Sequence, residues 1–149
     1  MESFYYFGYA SNLDVSTLEG RLKSGAKLLG LASLPHYGFR FDHPNPDGSA
    51  RANIIPSPHE TVYGLLFEVP LVDKAYFLSS EPGYDFVSMQ VATENGFVEA
   101  YVFISPSHVA NIFPDEKYLE VILRGGKANG LPASYLAQVI NRAGKTGFF

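Results

Sequence analysis

A mixed α and β fold with more strand than helix follows from three features of the sequence. Aromatic and β-branched residues gather in short runs, clusters of Gly, Pro, Asn and Asp separate those runs, and few segments carry apolar residues at helical spacing. With 149 residues and 46% apolar content the chain can bury one core but hardly two, so residues 1–149 are expected to form a single domain.

The first strand is expected over residues 3–9, which are dense in Phe and Tyr. It ends where Gly8, Ala10, Ser11 and Asn12 bring in small and polar side chains. Val15, Leu18 and Leu22 follow at helical spacing behind Asp14, predicting a short helix capped by that aspartate. Tyr9-Ala10-Ser11-Asn12-Leu13-Asp14 is therefore a strand-to-helix turn, where backbone N–H groups lack intrahelical partners and can meet negative charge. Residues 26–41 read as extended, and His43-Pro44-Asn45-Pro46-Asp47-Gly48-Ser49 is turn chemistry throughout. Residues 51–55 and 61–69 read as two strands with Pro56-Ser57-Pro58-His59-Glu60 as a hairpin-like connection, and Gly64 implies a bend or a close backbone approach. A short helix over 73–78 should stop before Pro82, which disfavours helical angles at the residue preceding it. Residues 86–93 and 97–104 form a hairpin over Asn95-Gly96. Tyr118, Val121 and Ile122 share a helical face with Gly125-Gly126 as the stop, and a last helix from Pro132 carries Tyr135, Leu136, Val139 and Ile140.

Charge and composition narrow the chemistry. A net charge of -4 with no dense Lys or Arg cluster argues against nucleic acid and against a membrane surface. The apolar stretch over residues 28–37 is too short to span a bilayer. The chain has no cysteine, hence no disulfide, thiolate nucleophile or Cys-ligated zinc. The opening residues lack the basic-then-apolar pattern of a secretory signal, so a cytoplasmic protein is expected. His36, His43, His59 and His108 show no paired-ligand spacing, so no metal is expected. Ser11 lacks the flanking glycines of a nucleophile elbow, and Gly125-Gly126-Lys127 lacks the rest of a phosphate loop. Glutamates are scattered along the chain, and composition singles out none of them.

Four segments in order carry a resemblance. Phe4-Tyr5-Tyr6-Phe7-Gly8-Tyr9-Ala10-Ser11-Asn12-Leu13 is similar to the aromatic strand and Tyr-Gly-Ser-Asn-Leu turn of the gamma-glutamylcyclotransferase-like (AIG2-like) family. Thr61-Val62-Tyr63-Gly64-Leu65-Leu66-Phe67 resembles that family's Val-Tyr-Gly-hydrophobic strand. Leu78-Ser79-Ser80-Glu81-Pro82-Gly83-Tyr84 stands where the family has its acidic residue and a glycine. Gly125 to Tyr135 is similar to its C-terminal Gly-Leu-Pro-x-x-Tyr segment.

The resemblance implies an α+β fold, a small mixed β-barrel with flanking helices and a cavity at one end. It also implies a reaction in which the α-amine of a γ-glutamyl group attacks its own γ-carbonyl, giving 5-oxoproline and a free amine or amino acid. The nucleophile belongs to the substrate, so no cofactor is needed, and ring closure profits from an effective molarity of roughly 10⁵ to 10⁸ M. Glu81 is then the general acid-base, in a partly desolvated pocket that would lift its pKa above a free glutamate's. Tyr9, Ala10, Ser11, Asn12 and Leu13 form the turn around the glutamyl group, and Tyr84 and Tyr118 line the pocket. Two departures stand out: Gly8 and Ala10 have traded places around Tyr9, and Pro82 replaces a glycine in a shortened loop. Asp85 is the nearest alternative carboxylate. The competing reading is a binding module for small molecules that keeps the barrel without turnover; an exposed Glu81 facing away from the turn would favour it.

Overall fold

In β1 (Ser3–Gly8) Ser3 and Tyr5 are exposed while Phe4 and Tyr6 are buried, the alternation that a pleated strand with one covered face requires. The protein is described here by a computed structural model covering residues 2–144. Among them β1, β2 (Lys27–Pro44), β3 (Ala50–Pro70), β4 (Asp85–Thr93) and β5 (Gly96–Ile104) close into a barrel in the order β1-β3-β2-β4-β5. Neighbours run antiparallel except β1 and β5, which meet in parallel at Tyr6 and Tyr101. Helices α1 (Val15–Glu19), α2 (Lys74–Ser79), α3 (Glu116–Ala128) and α4 (Ala133–Arg142) flank it, as the α+β barrel expectation had it. No helix among the described residues is long and apolar enough to cross a membrane.

Four local expectations need correction. β3 runs unbroken through Pro56-Ser57-Pro58-His59-Glu60 instead of turning there. Its register with β2 jumps from Pro35 opposite Thr61 to Tyr37 opposite Pro56, so four β3 residues stand against His36 alone. His36 takes a left-handed φ of 68° at this bulge, and prolines are tolerated where the ladder is interrupted. β2 likewise continues through His43 and Pro44, leaving Asn45 to Ser49 as the loop. Asp14 precedes α1 without bonding its backbone; its carboxylate accepts from Thr17 Oγ1 (2.7 Å) and Ser16 Oγ (3.2 Å).

Gly125-Gly126 lies inside α3 and does not stop it. A Cβ on Gly125 would come within 2.4 Å of the Leu13 carbonyl carbon, so the glycine is where helix and turn touch. The helix ends at Asn129, whose side chain donates to Leu13 O (3.0 Å) and Gly125 O (2.9 Å), tying the same two segments together. Gly64 fits the expected close approach, because a Cβ there would meet Gly8 O at 2.3 Å.

Candidate active site

Small residues and tyrosines enclose a narrow cavity where β1 and β5 end and β4 begins. Its walls are Tyr6, Tyr9, Ala10, Ser11, Asn12, Ala52, Glu81, Tyr84, Phe103 and Tyr118. A rigid aromatic floor supports it. Tyr6 meets Phe77 edge-on at 4.8 Å and Phe103 at 5.8 Å, and Phe103 packs on Phe86 at 4.6 Å. Such pairs add about 0.5–1.5 kcal/mol each beyond area burial.

Glu81 reaches the cavity from the end of α2. Its N–H donates to Leu78 O (3.3 Å) and its carbonyl accepts from Tyr84 N–H (3.3 Å), so Pro82 does not displace it. Only 8% exposed, the residue places its carboxylate between two guanidiniums. Arg21 Nη1 contacts one oxygen at 3.0 Å, and Arg51 forms an ion pair with the other. The expected desolvation is present, joined by two cations that the sequence reading had not assigned to the site. Arg21 Nη1 also donates to Ser11 Oγ (3.0 Å) and Asn12 Oδ1 (2.9 Å), which binds the turn to the carboxylate. Burial pulls Arg21 below the ordinary arginine value. Arg51 lies over the Tyr84 ring, 5.0 Å from its centroid.

The tyrosine hydroxyls divide into two kinds. Tyr9 donates to Phe103 O (2.7 Å) and Tyr84 to Ala52 O (2.5 Å), so their hydrogens are committed to backbone. Tyr118 accepts from Ala52 N–H (3.0 Å) and Tyr6 from Asn12 Nδ2 (2.8 Å), which leaves each with a hydrogen to donate. Burial raises the pKa of all four phenols, Tyr6 to about 12, so they stand as neutral donors.

Of the residues singled out in the sequence, Tyr9, Ala10, Ser11, Asn12, Glu81, Tyr84 and Tyr118 line one cavity. Leu13 does not. It is 1% exposed and packs into the core under α3, with its N–H on Ala10 O (3.0 Å). Asp85 is exposed at the start of β4 and lies outside the cavity. Ala10 sits at φ −130°, so it carries no left-handed strain and its methyl narrows the wall. Tyr6, Arg21 and Arg51 went unassigned: Tyr6 reads as one more strand aromatic, while the arginines stand ten and forty residues from the turn with no motif to tie them to it. Among the described residues no three His, Asp or Glu side chains gather as a metal ion needs.

Comparison with known proteins agrees with this fold. The family model for the AIG2-like family matches residues 61–139. The chain is 30% identical to gamma-glutamylcyclotransferase from Bos taurus and 28% identical to that from Homo sapiens, in each case over 90% of this chain and 76% of the relative. A solved structure of a gamma-glutamyl cyclotransferase superposes with a TM-score of 0.79 at 26% identity, covering 93% of this chain and 86% of that one. The chain belongs to the AIG2-like, gamma-glutamylcyclotransferase family.

Proposed function

We propose that this protein is a gamma-glutamylcyclotransferase, acting on a γ-glutamyl amino acid or a γ-glutamyl amine. The observation that carries the reading is the buried carboxylate of Glu81, facing the Tyr9–Asn12 turn in a cavity with hydrogen-bond donors to spare. The substrate's α-nitrogen attacks its γ-carbonyl carbon, a five-membered ring closes, and the bond to the departing nitrogen breaks. Glu81 accepts a proton from the α-ammonium and returns one to the leaving amine, work worth about 10² to 10⁴ in rate. Negative charge develops on the carbonyl oxygen meanwhile. Tyr6 and Tyr118 keep a donor hydrogen for it, and Ser11 and Asn12 open the 3-10 turn Ser11–Leu13, where first-turn N–H groups have no intrahelical acceptor.

The test is release of 5-oxoproline from a panel of γ-glutamyl dipeptides and Nε-γ-glutamyl-lysine. We expect 5-oxoproline and free amine in equal amounts from at least one member. Saturable binding of a member with no product from any would instead favour a binding module.

A further inference from the structure

Resting on the cyclotransferase reading, the charges around Glu81 carry one step more. The cavity encloses about 20 Å³, room for about one water molecule, so a γ-glutamyl group enters only when the groups that meet there part. Glu81, Arg21 and Arg51 together carry a net charge of +1, two cations against one carboxylate. The two arginines are held differently. Arg21 Nη1 retains Ser11 Oγ and Asn12 Oδ1 if Glu81 turns away. Arg51 rests on the face of Tyr84 and hydrogen-bonds the neutral Tyr118 hydroxyl, and among the described residues its ion-pair partner is Glu81, so the anion it loses must come from the molecule that enters. A γ-glutamyl group brings an α-carboxylate, whose planar oxygens match a guanidinium fork.

We propose that the substrate's α-carboxylate takes the place of Glu81 on Arg51, releasing Glu81 to face the α-ammonium. The substrate's two charges cancel, so the net charge stays +1, and each ion keeps an opposite partner: Arg51 the α-carboxylate, and Glu81 both Arg21 and the α-ammonium. Glu81 thus becomes free to act as a base when a substrate with an unmodified α-carboxylate is present. Arg51 is a specificity-determining residue, and Arg21 a positioning residue that keeps Glu81 beside the turn.

Glutaramate tests the exchange without turnover, since it has the carboxylate and the amide and lacks the α-amine. Calorimetry should show that Arg51→Met weakens its binding about tenfold or more, Arg51→Lys less, and that Glu81→Gln tightens it because the competing carboxylate is gone. In turnover, replacing the α-carboxylate of γ-glutamylglycine by a carboxamide should lower kcat/KM about tenfold or more, a difference that Arg51→Met erases. The proposal is overturned if glutaramate fails to bind the native protein, if Arg51→Met binds it equally well, or if a folded Glu81→Gln protein binds it more weakly. Binding as stated with no turnover of any substrate would uphold the exchange and remove the cyclotransferase reading. Equal turnover of acid and carboxamide would remove the exchange and leave that reading in place.

Discussion

Two glutamates in this molecule each stand between two arginines, and their surroundings separate them. Glu60, on β3, accepts both prongs of Arg40 (3.0 and 2.7 Å), Ser57 Oγ (2.6 Å) and the more distant Arg142 (3.4 Å). Its side chain is 25% exposed, and the Arg40 hydrogen bonds hold its pKa down to about 2. Glu81 has the same pairing at 9% exposure, with phenols and small turn residues around it. A charge triplet alone therefore identifies no chemistry. At Glu60 the partners fasten a strand to the side chains of β2 and α4; Glu81 instead lines a narrow cavity with Tyr6, Tyr84, Tyr118 and the Tyr9–Asn12 turn.

The largest expected effect divides these two positions. Glu81→Gln should lower 5-oxoproline release by about 10² to 10⁴ while circular dichroism shows a folded protein, and Glu60→Gln should leave the rate unchanged. Gly125→Ala comes next. Its methyl would press on the Leu13–Asp14 backbone, so denaturant titration should show a loss of about 1–3 kcal/mol, with slower turnover because the turn moves. Asp115 caps α3 by accepting from Tyr118 N–H (2.8 Å), and Asp115→Ala should cost about 1 kcal/mol in the same titration.

The smallest effect is Glu60's contribution to stability. Because its folded pKa is depressed from 4.5 to about 2, the contribution is present above pH 4.5 and is lost as the pH falls to about 2. Glu60→Gln should thus be less stable than the native protein by under about 1 kcal/mol near pH 7, with the gap closing toward pH 2 in melts run across that range. A gap that widened on acidification would contradict the assignment.

How far the sequence revealed this structure depended on the range of the interactions. β1, the β4–β5 hairpin and the start of α4 follow from local pattern and were legible to within about one residue. Gly125-Gly126 was not, because a glycine that ends a helix and one that admits a neighbouring backbone look alike without the neighbour. The prolines of β3 misled for a related reason: they sit where the register jumps, and the jump depends on His36 in another strand. Within the site, Glu81 was legible through family resemblance, the pattern of residues having singled out no glutamate. Arg21 and Arg51 converge on it from sixty and thirty residues away, a distance that the barrel closes and no local spacing encodes.

The claim that the Glu81 cavity performs an internal cyclisation is tested most directly by running the reaction in ¹⁸O-labelled water and weighing the product. Attack by the substrate's own nitrogen predicts unlabelled 5-oxoproline, with that product lost in Glu81→Gln. Glutamate carrying one ¹⁸O would contradict the account, because water would then be the nucleophile.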